Sequence, residues 1–163
     1  MGNRGTLDSA SLVREKQSPV SKAYGGVLVD DRQRILLCKP RGEYGGYAWT
    51  FTKGRALAGE MPLETALREV KEETGYDVLV TRKIPGRYKG TTTVTEFYLM
   101  QPEGAPNNFE SETEEVRWVS VGEAEQMVME SENSVGKLRV RKLLAIVGSL
   151  LREALTLAKS GQD

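Results

Sequence analysis

Within the stretch Arg68-Glu69-Val70-Lys71-Glu72-Glu73-Thr74-Gly75-Tyr76, three glutamates fall in little more than one helical turn. Like charges three or four residues apart on a helix repel, at roughly 0.2–0.5 kcal/mol per pair, so the cluster needs a reason. One reading makes Glu69, Glu72 and Glu73 a solvated face, with Glu64 to Arg68 and Arg68 to Glu72 as ordinary i,i+4 ion pairs. The other makes them hard oxygen donors that converge on a divalent cation, which tolerates water and phosphate oxygens as further ligands. Residues 60 to 76 carry five glutamates against one arginine and one lysine, a local charge of −3, and that excess favours the cation.

Composition narrows the chemistry further. The chain has no histidine, which removes Ser-His-Asp and Cys-His nucleophile systems, HExxH metalloproteases and His-liganded zinc in one step. Acid-base or metal chemistry must then run on carboxylates, lysines or tyrosines. The 23 basic and 23 acidic residues cancel, so no global positive field recruits nucleic acid. The single cysteine, Cys38, lies in the apolar run Ile35-Leu36-Leu37-Cys38 and reads as a buried structural thiol in a reducing, cytoplasmic protein. No apolar run is long enough to span a membrane, and residues 1 to 20 read as a polar, flexible tail ahead of one domain over 21–160.

The glutamates need a helix and a sheet to hold them. Pro62 suits a first helical turn, Gly75 a C-terminal cap, and Leu63, Ala66, Leu67 and Val70 fall at i, i+3, i+4 and i+7 as a core-facing stripe. The three glutamates then share one side of that helix, beside the stripe. Upstream, residues 22–29 and 34–39 read as strands joined by the turn Asp30-Asp31-Arg32-Gln33, a hairpin. A Gly- and Pro-rich loop follows at 40–48, and Trp49-Thr50-Phe51 resumes extended structure. Strands are predicted at 78–84, 91–100 and 116–120, an acidic loop before the last of them, then helices near 121–130 and 137–159. The final helix is basic at its start and amphipathic. Packing on its own domain is the default reading, a membrane-surface or partner helix the alternative.

Gly54, five residues, Glu60, seven residues, and then Arg68-Glu69-Val70-Lys71-Glu72-Glu73-Thr74-Gly75-Tyr76 resembles the Nudix box, G-x5-E-x7-R-E-U-x-E-E-x-G-U, where U is a bulky aliphatic residue. The seven fixed positions all match; only Tyr76 departs, being aromatic. Glu115-Val116-Arg117-Trp118-Val119 and Gly122-Glu123-Ala124 are similar to the closing strand and helix of that family. The resemblance to the Nudix (MutT-like) hydrolase superfamily implies an α/β fold, a mixed β-sheet sandwiched between helices. It implies magnesium- or manganese-dependent hydrolysis of the pyrophosphate linkage in a nucleoside diphosphate joined to another moiety. Carried over position by position, Glu69, Glu72 and Glu73 become the metal carboxylates, Lys53 offers its backbone carbonyl, Arg68 orients the carboxylates, and Glu60 is the outer carboxylate. The general base is Glu69 or a glutamate of the loop before the last strand, Glu112, Glu114 or Glu115.

Substrate contacts are expected among Lys39, Arg41, Lys53, Arg55, Arg87 and Lys89 for phosphates and Tyr47, Trp49 and Tyr88 for a base. Thr52 and Thr91-Thr92-Thr93 stand where coenzyme A and ADP-ribose subfamilies carry proline marks, whereas Lys53-Gly54 is similar to the pair in dinucleoside polyphosphate hydrolases. Dinucleoside polyphosphates or nucleoside triphosphates are therefore favoured over ADP-ribose or nucleotide sugars. A non-catalytic nucleotide-binding module is the reading from another class. Beyond its small-molecule nucleotide the protein is expected to need no nucleic acid and no membrane, as a monomer or homodimer.

Overall fold

A computed structural model describes residues 20–110 and 112–161, so the expected tail, all but its last residue, lies outside the described residues. The elements are β1 Ser21–Leu28, β2 Ile35–Pro40, a 3-10 run Arg41–Gly46, β3 Thr52–Arg55, α1 Pro62–Thr74, β4 Asp77–Lys83, β5 Tyr88–Lys89, β6 Thr93–Glu103, β7 Thr113–Val119, α2 Val121–Val128 and α3 Ser134–Ser160. Five strands form a mixed sheet in the order β3-β1-β6-β4, with β5 also on β6; β1 and β6 run parallel and the other pairs antiparallel. β2 and β7 form a separate antiparallel pair.

The predicted hairpin is half right. Asp30 does close a turn, its carboxylate accepting hydrogen bonds from the Arg32 and Arg34 backbone at 3.0 and 2.8 Å. Beyond the single bridge Val29 to Ile35 the strands part. β1 is a central strand whose two edges are taken by β3 and β6, so β2 has no edge to pair with and joins β7 instead.

Strand alternation explains the layers. Val27, Ile35, Leu37, Phe51 and Phe97 point to one side, where Val140, Leu143, Leu144 and Val147 of α3 and Ala124 and Val128 of α2 cover them. Tyr24, Leu28, Leu36 and Met100 point to the other, against Ala66 and Val70 of α1. Helices thus lie on both faces of the sheet. Among the described residues no helix is long and apolar enough to cross a membrane.

α1 starts with Pro62 at its first position and stops at Gly75, whose φ of 76° and N–H to Lys71 carbonyl bond of 2.9 Å make a left-handed cap. Its buried stripe is turned from the expected one: Thr65, Ala66, Val70 and Thr74 are buried, whereas Leu63 is 38% exposed. Tyr76, the odd residue of the motif, packs its ring edge-on to Trp118 at 5.7 Å and accepts a hydrogen bond from the indole Nε1 at 3.1 Å. An aliphatic side chain there would leave that half-buried N–H without this partner.

Candidate active site

Two elements build the site. β3 is held on β1 with Lys53 opposite Gly25 and Gly54 opposite Tyr24. α1 runs over it and delivers Arg68, Glu69, Glu72 and Glu73 from its second to fourth turns. At residue 54 a side chain is impossible without displacement, because the Glu69 carboxylate already fills the place of a Cβ. The Thr52 hydroxyl donates to the Glu69 carbonyl at 3.2 Å, tying strand to helix.

Arg68 organises the acids. Its Nε and Nη2 grip the two oxygens of Glu60 at 2.8 and 2.9 Å, its Nη1 reaches Glu69 at 2.8 Å and Glu72 at 3.2 Å, and Nη2 also donates to the Arg55 carbonyl at 3.1 Å. Glu60 accepts in addition from the Thr65 hydroxyl and the Leu57 N–H. Bonding to Arg68 first, then to Thr65, holds the Glu60 carboxyl at about 2, and the same contacts push Arg68 up.

Glu73 lies deeper, within hydrogen-bonding reach of Thr52 and Glu69. Burial pushes its carboxyl up to about 8 and the Glu69 charge adds to that, against the Thr52 bond and the Lys53 charge. Lys53 is lowered to about 8, first by burial and then by the Arg139 charge, with Glu73 and Glu69 pulling the other way. A carboxyl pushed up by burial and by a neighbouring carboxylate belongs to an acid cluster short of positive charge. The expected donors are carboxylate oxygens and one backbone carbonyl, which fit a hard divalent cation in kind. Their present placement differs from the expected convergence: among the described residues no three carboxylates gather at one point, since Arg68 draws Glu69 and Glu72 towards itself.

The remaining expected residues divide. Tyr47 is half-buried beside the site, with the Lys53 ammonium 5.7 Å and the Arg139 guanidinium 5.6 Å from its ring centre. Arg41 is exposed and its backbone N–H donates to the Glu112 carbonyl at 2.9 Å, which anchors the acidic loop, and the Glu112 side chain is exposed. Glu115 pairs with Arg117 at 2.7 Å and Glu114 with Lys39 at 3.9 Å, both on the β2–β7 pair. Part of the acidic loop does approach: Glu110 N–H donates to the Glu72 carbonyl and Asn107 N–H to the Gly75 carbonyl, both at 2.8 Å.

Three residues expected to contact substrate have partners of their own. Arg87 pairs with Glu96 at 3.3 Å on the β5–β6 side, in a shallow pocket shared with Lys83 and Pro85. Tyr88 is buried, its ring against Phe97 at 5.8 Å and its hydroxyl donating to the Pro85 carbonyl, so it has no face for a base. Trp49 is buried too, under the Arg117 guanidinium.

Two residues were missed. Thr52 carries no functional mark in the sequence, standing where proline is frequent in the family that the chain resembles. Arg139 carried a signal: it sits on the buried stripe of α3 with Gly136, Val140, Leu143 and Val147, where the 3.6-residue period calls for an apolar side chain.

A family model described as NUDIX domain matches residues 20–138. A 45-residue segment is 49% identical to part of an octanoyltransferase from Myxococcus xanthus, 28% of this chain and 12% of that one, so the chain spans about an eighth of that relative. Among solved structures, an Ap4A hydrolase binary complex from C. elegans is similar with a TM-score of 0.63 at 15% identity, over 82% of this chain and 98% of that one. An ADP-ribose pyrophosphatase from Streptococcus suis gives 0.60 at 18%, over 80% and 91%, and a UDP-X diphosphatase 0.59 at 16%, over 88% and 72%. At these identities the likeness is one of fold.

Proposed function

The chain belongs to the NUDIX domain family, and from that premise we propose that it hydrolyses the pyrophosphate linkage of a nucleoside diphosphate joined to another moiety. The observation that carries this reading is the acid pair Glu69–Glu73 under Gly54, steered by one arginine that is itself locked to Glu60. Glu69, Glu72, Glu73 and the Lys53 carbonyl would hold magnesium or manganese. When bound, that ion neutralises phosphate charge and makes a coordinated water more acidic.

The chain's own residues have distinct tasks. Glu60 and Arg68 fix the direction of the acids, so that little reorganisation remains when substrate arrives. Glu69 is the first candidate proton acceptor for the attacking water, and Glu112 of the acidic loop or Glu114 or Glu115 of β7 is the alternative source. Tyr47 and Lys53 flank the place where a base or phosphate would lie. Dinucleoside polyphosphates and nucleoside triphosphates are the favoured substrates; ADP-ribose and nucleotide sugars come second. The fold neighbours' printed substrates, Ap4A, ADP-ribose and a UDP derivative, span this range. The reaction belongs in a reducing cytoplasm, consistent with the buried thiol of Cys38.

The test is a panel of nucleotides with magnesium, scored for phosphate or pyrophosphate release, for the wild type and Glu73→Gln. Turnover that is lost in the folded variant supports hydrolysis. No turnover on any member, with nucleotide binding that survives Glu73→Gln, makes the protein a binding module.

A further inference from the structure

The strongest unexplained charge in the molecule is Arg139. It is 3% exposed, and among the described residues its one hydrogen bond goes to the Tyr47 hydroxyl, while no carboxylate pairs with it. Burying a guanidinium without a counter-ion is among the costliest arrangements in a fold. The local backbone is nonetheless built around it. Gly90 leaves the space in which Nη1 sits, since a Cβ there would collide with it. The start of α3 is locked to the loop that presents Tyr47: the Glu132 and Asn133 N–H groups donate to the Gly46 carbonyl at 2.9 and 3.1 Å, the Asn133 amide donates to the Gly45 carbonyl at 3.0 Å, and Ala48 N–H donates to Ser131 Oγ at 3.1 Å. The only fully buried side-chain nitrogen or oxygen without a partner among the described residues is Thr95 Oγ1, so the unpaired nitrogens of Arg139 keep a path to solvent.

We propose that Arg139 is an anion-binding residue of the candidate site, which receives a phosphate of a polyphosphate chain beyond the linkage that is cleaved. The proposal rests on the hydrolase reading for the identity of the anion, and on geometry for its place. Lys53 connects the two halves: its ammonium lies over the Tyr47 ring that Arg139 also faces, and it stands in the field of Arg139 and Arg55 as well as of Glu69 and Glu73. The anion that Arg139 receives is therefore a neighbour of the carboxylate cluster and not a member of it. A pyrophosphate engaged at the carboxylates and a further phosphate on the planar guanidinium together describe a chain of at least three phosphates. This separates triphosphates and dinucleoside polyphosphates from ADP-ribose, both of whose phosphates belong to the cleaved linkage.

The experiment uses the whole protein in EDTA, titrated with inorganic triphosphate at ionic strength held constant with sodium chloride, with the melting temperature as readout. The wild type is expected to be stabilised in a saturable way, and Arg139→Met to bind roughly tenfold or more weakly, as for the loss of a charged hydrogen-bond donor. Arg139→Lys keeps the charge without the fork and is expected to fall between the two. If Arg139→Met does not fold, the lysine variant decides alone: weaker binding supports the site, unchanged affinity overturns it. A wild type that responds no more to triphosphate than to sodium chloride also overturns it. A triphosphate response lost in Arg139→Met, together with no turnover on the nucleotide panel, supports the anion site and sinks the hydrolase reading. Turnover on triphosphates with the same KM in wild type and Arg139→Met does the reverse.

Discussion

Arg68 grips Glu60 through two parallel hydrogen bonds, Nε to Oε2 at 2.8 Å and Nη2 to Oε1 at 2.9 Å, across eight positions of sequence. With two arms of the fork fixed, the direction of Nη1 is fixed as well, and it is this nitrogen that meets Glu69 and Glu72. A lysine carries the charge but cannot hold one acid while steering two others. Arg68→Lys is expected to lower kcat/KM roughly 10- to 100-fold, with a parallel loss of magnesium affinity. A lysine variant with wild-type turnover and wild-type metal titration would show that Arg68 does not position the acids.

The same contact sets an acid limb of stability. The folded Glu60 carboxyl stands at about 2, below its ordinary value of 4.5, chiefly through its bonds to Arg68. A depressed carboxylate contributes stability above its unfolded value and loses it as pH falls towards the folded one. Denaturant midpoints should therefore drop between about pH 4.5 and 2, and Glu60→Gln should flatten that drop while lowering the midpoint at pH 6. Equal slopes in the two proteins over this window would refute the assignment.

Gly54 and Glu69 supply a second positional test. A methyl at residue 54 would occupy the space of the Glu69 carboxylate, which is the free end of a flexible side chain. The fold can give way cheaply there, but the acid cannot stay. Gly54→Ala is expected to cost no more than a few degrees of melting temperature, with kcat/KM down about tenfold or more. A large loss of stability with unchanged specific activity of the folded fraction would show that the glycine serves the backbone and not the acid.

The part of this arrangement that local sequence controls was legible. Pro62, Gly75 and the spacing of Ala66 and Val70 mark α1, and that Glu69, Glu72 and Glu73 share one side of it follows from the helical period. What was not legible depends on partners far apart in sequence. The Asp30 turn reads as a hairpin because nothing near it reveals that both edges of β1 are taken by residues 52–55 and 93–103. Tyr88 looks like a stacking platform until Phe97 and Pro85 close over it. Leu63 fits the apolar stripe, yet it is exposed while the polar Thr65 in the same turn is buried. Arg139 is the instructive case, since its position on an apolar stripe was visible, but its lack of a counter-ion is a property of the folded environment.

Glu73 is the residue at which pH, metal and stability are expected to couple. Its carboxyl is raised to about 8, mainly by burial and then by Glu69, so the folded protein binds this proton more tightly than the unfolded chain does. Stability of the metal-free protein must then fall as pH rises from about 4.5 through 8, the opposite of the Glu60 limb and in a different window. Glu73→Gln removes the titration, so the metal-free variant is expected to lose less stability than wild type across that window and to be the more stable of the two at pH 8. Saturating magnesium is expected to act in reverse, binding the folded state of the wild type and raising its melting temperature by mass action. The glutamine variant should gain much less from magnesium and lose roughly 100-fold or more in turnover. Melting temperatures at pH 5, 6.5 and 8, each with EDTA and with magnesium, resolve all of these signs in one experiment. Wild type that grows more stable from pH 5 to 8 in EDTA, or a variant that responds to magnesium as wild type does, would remove Glu73 from the metal site.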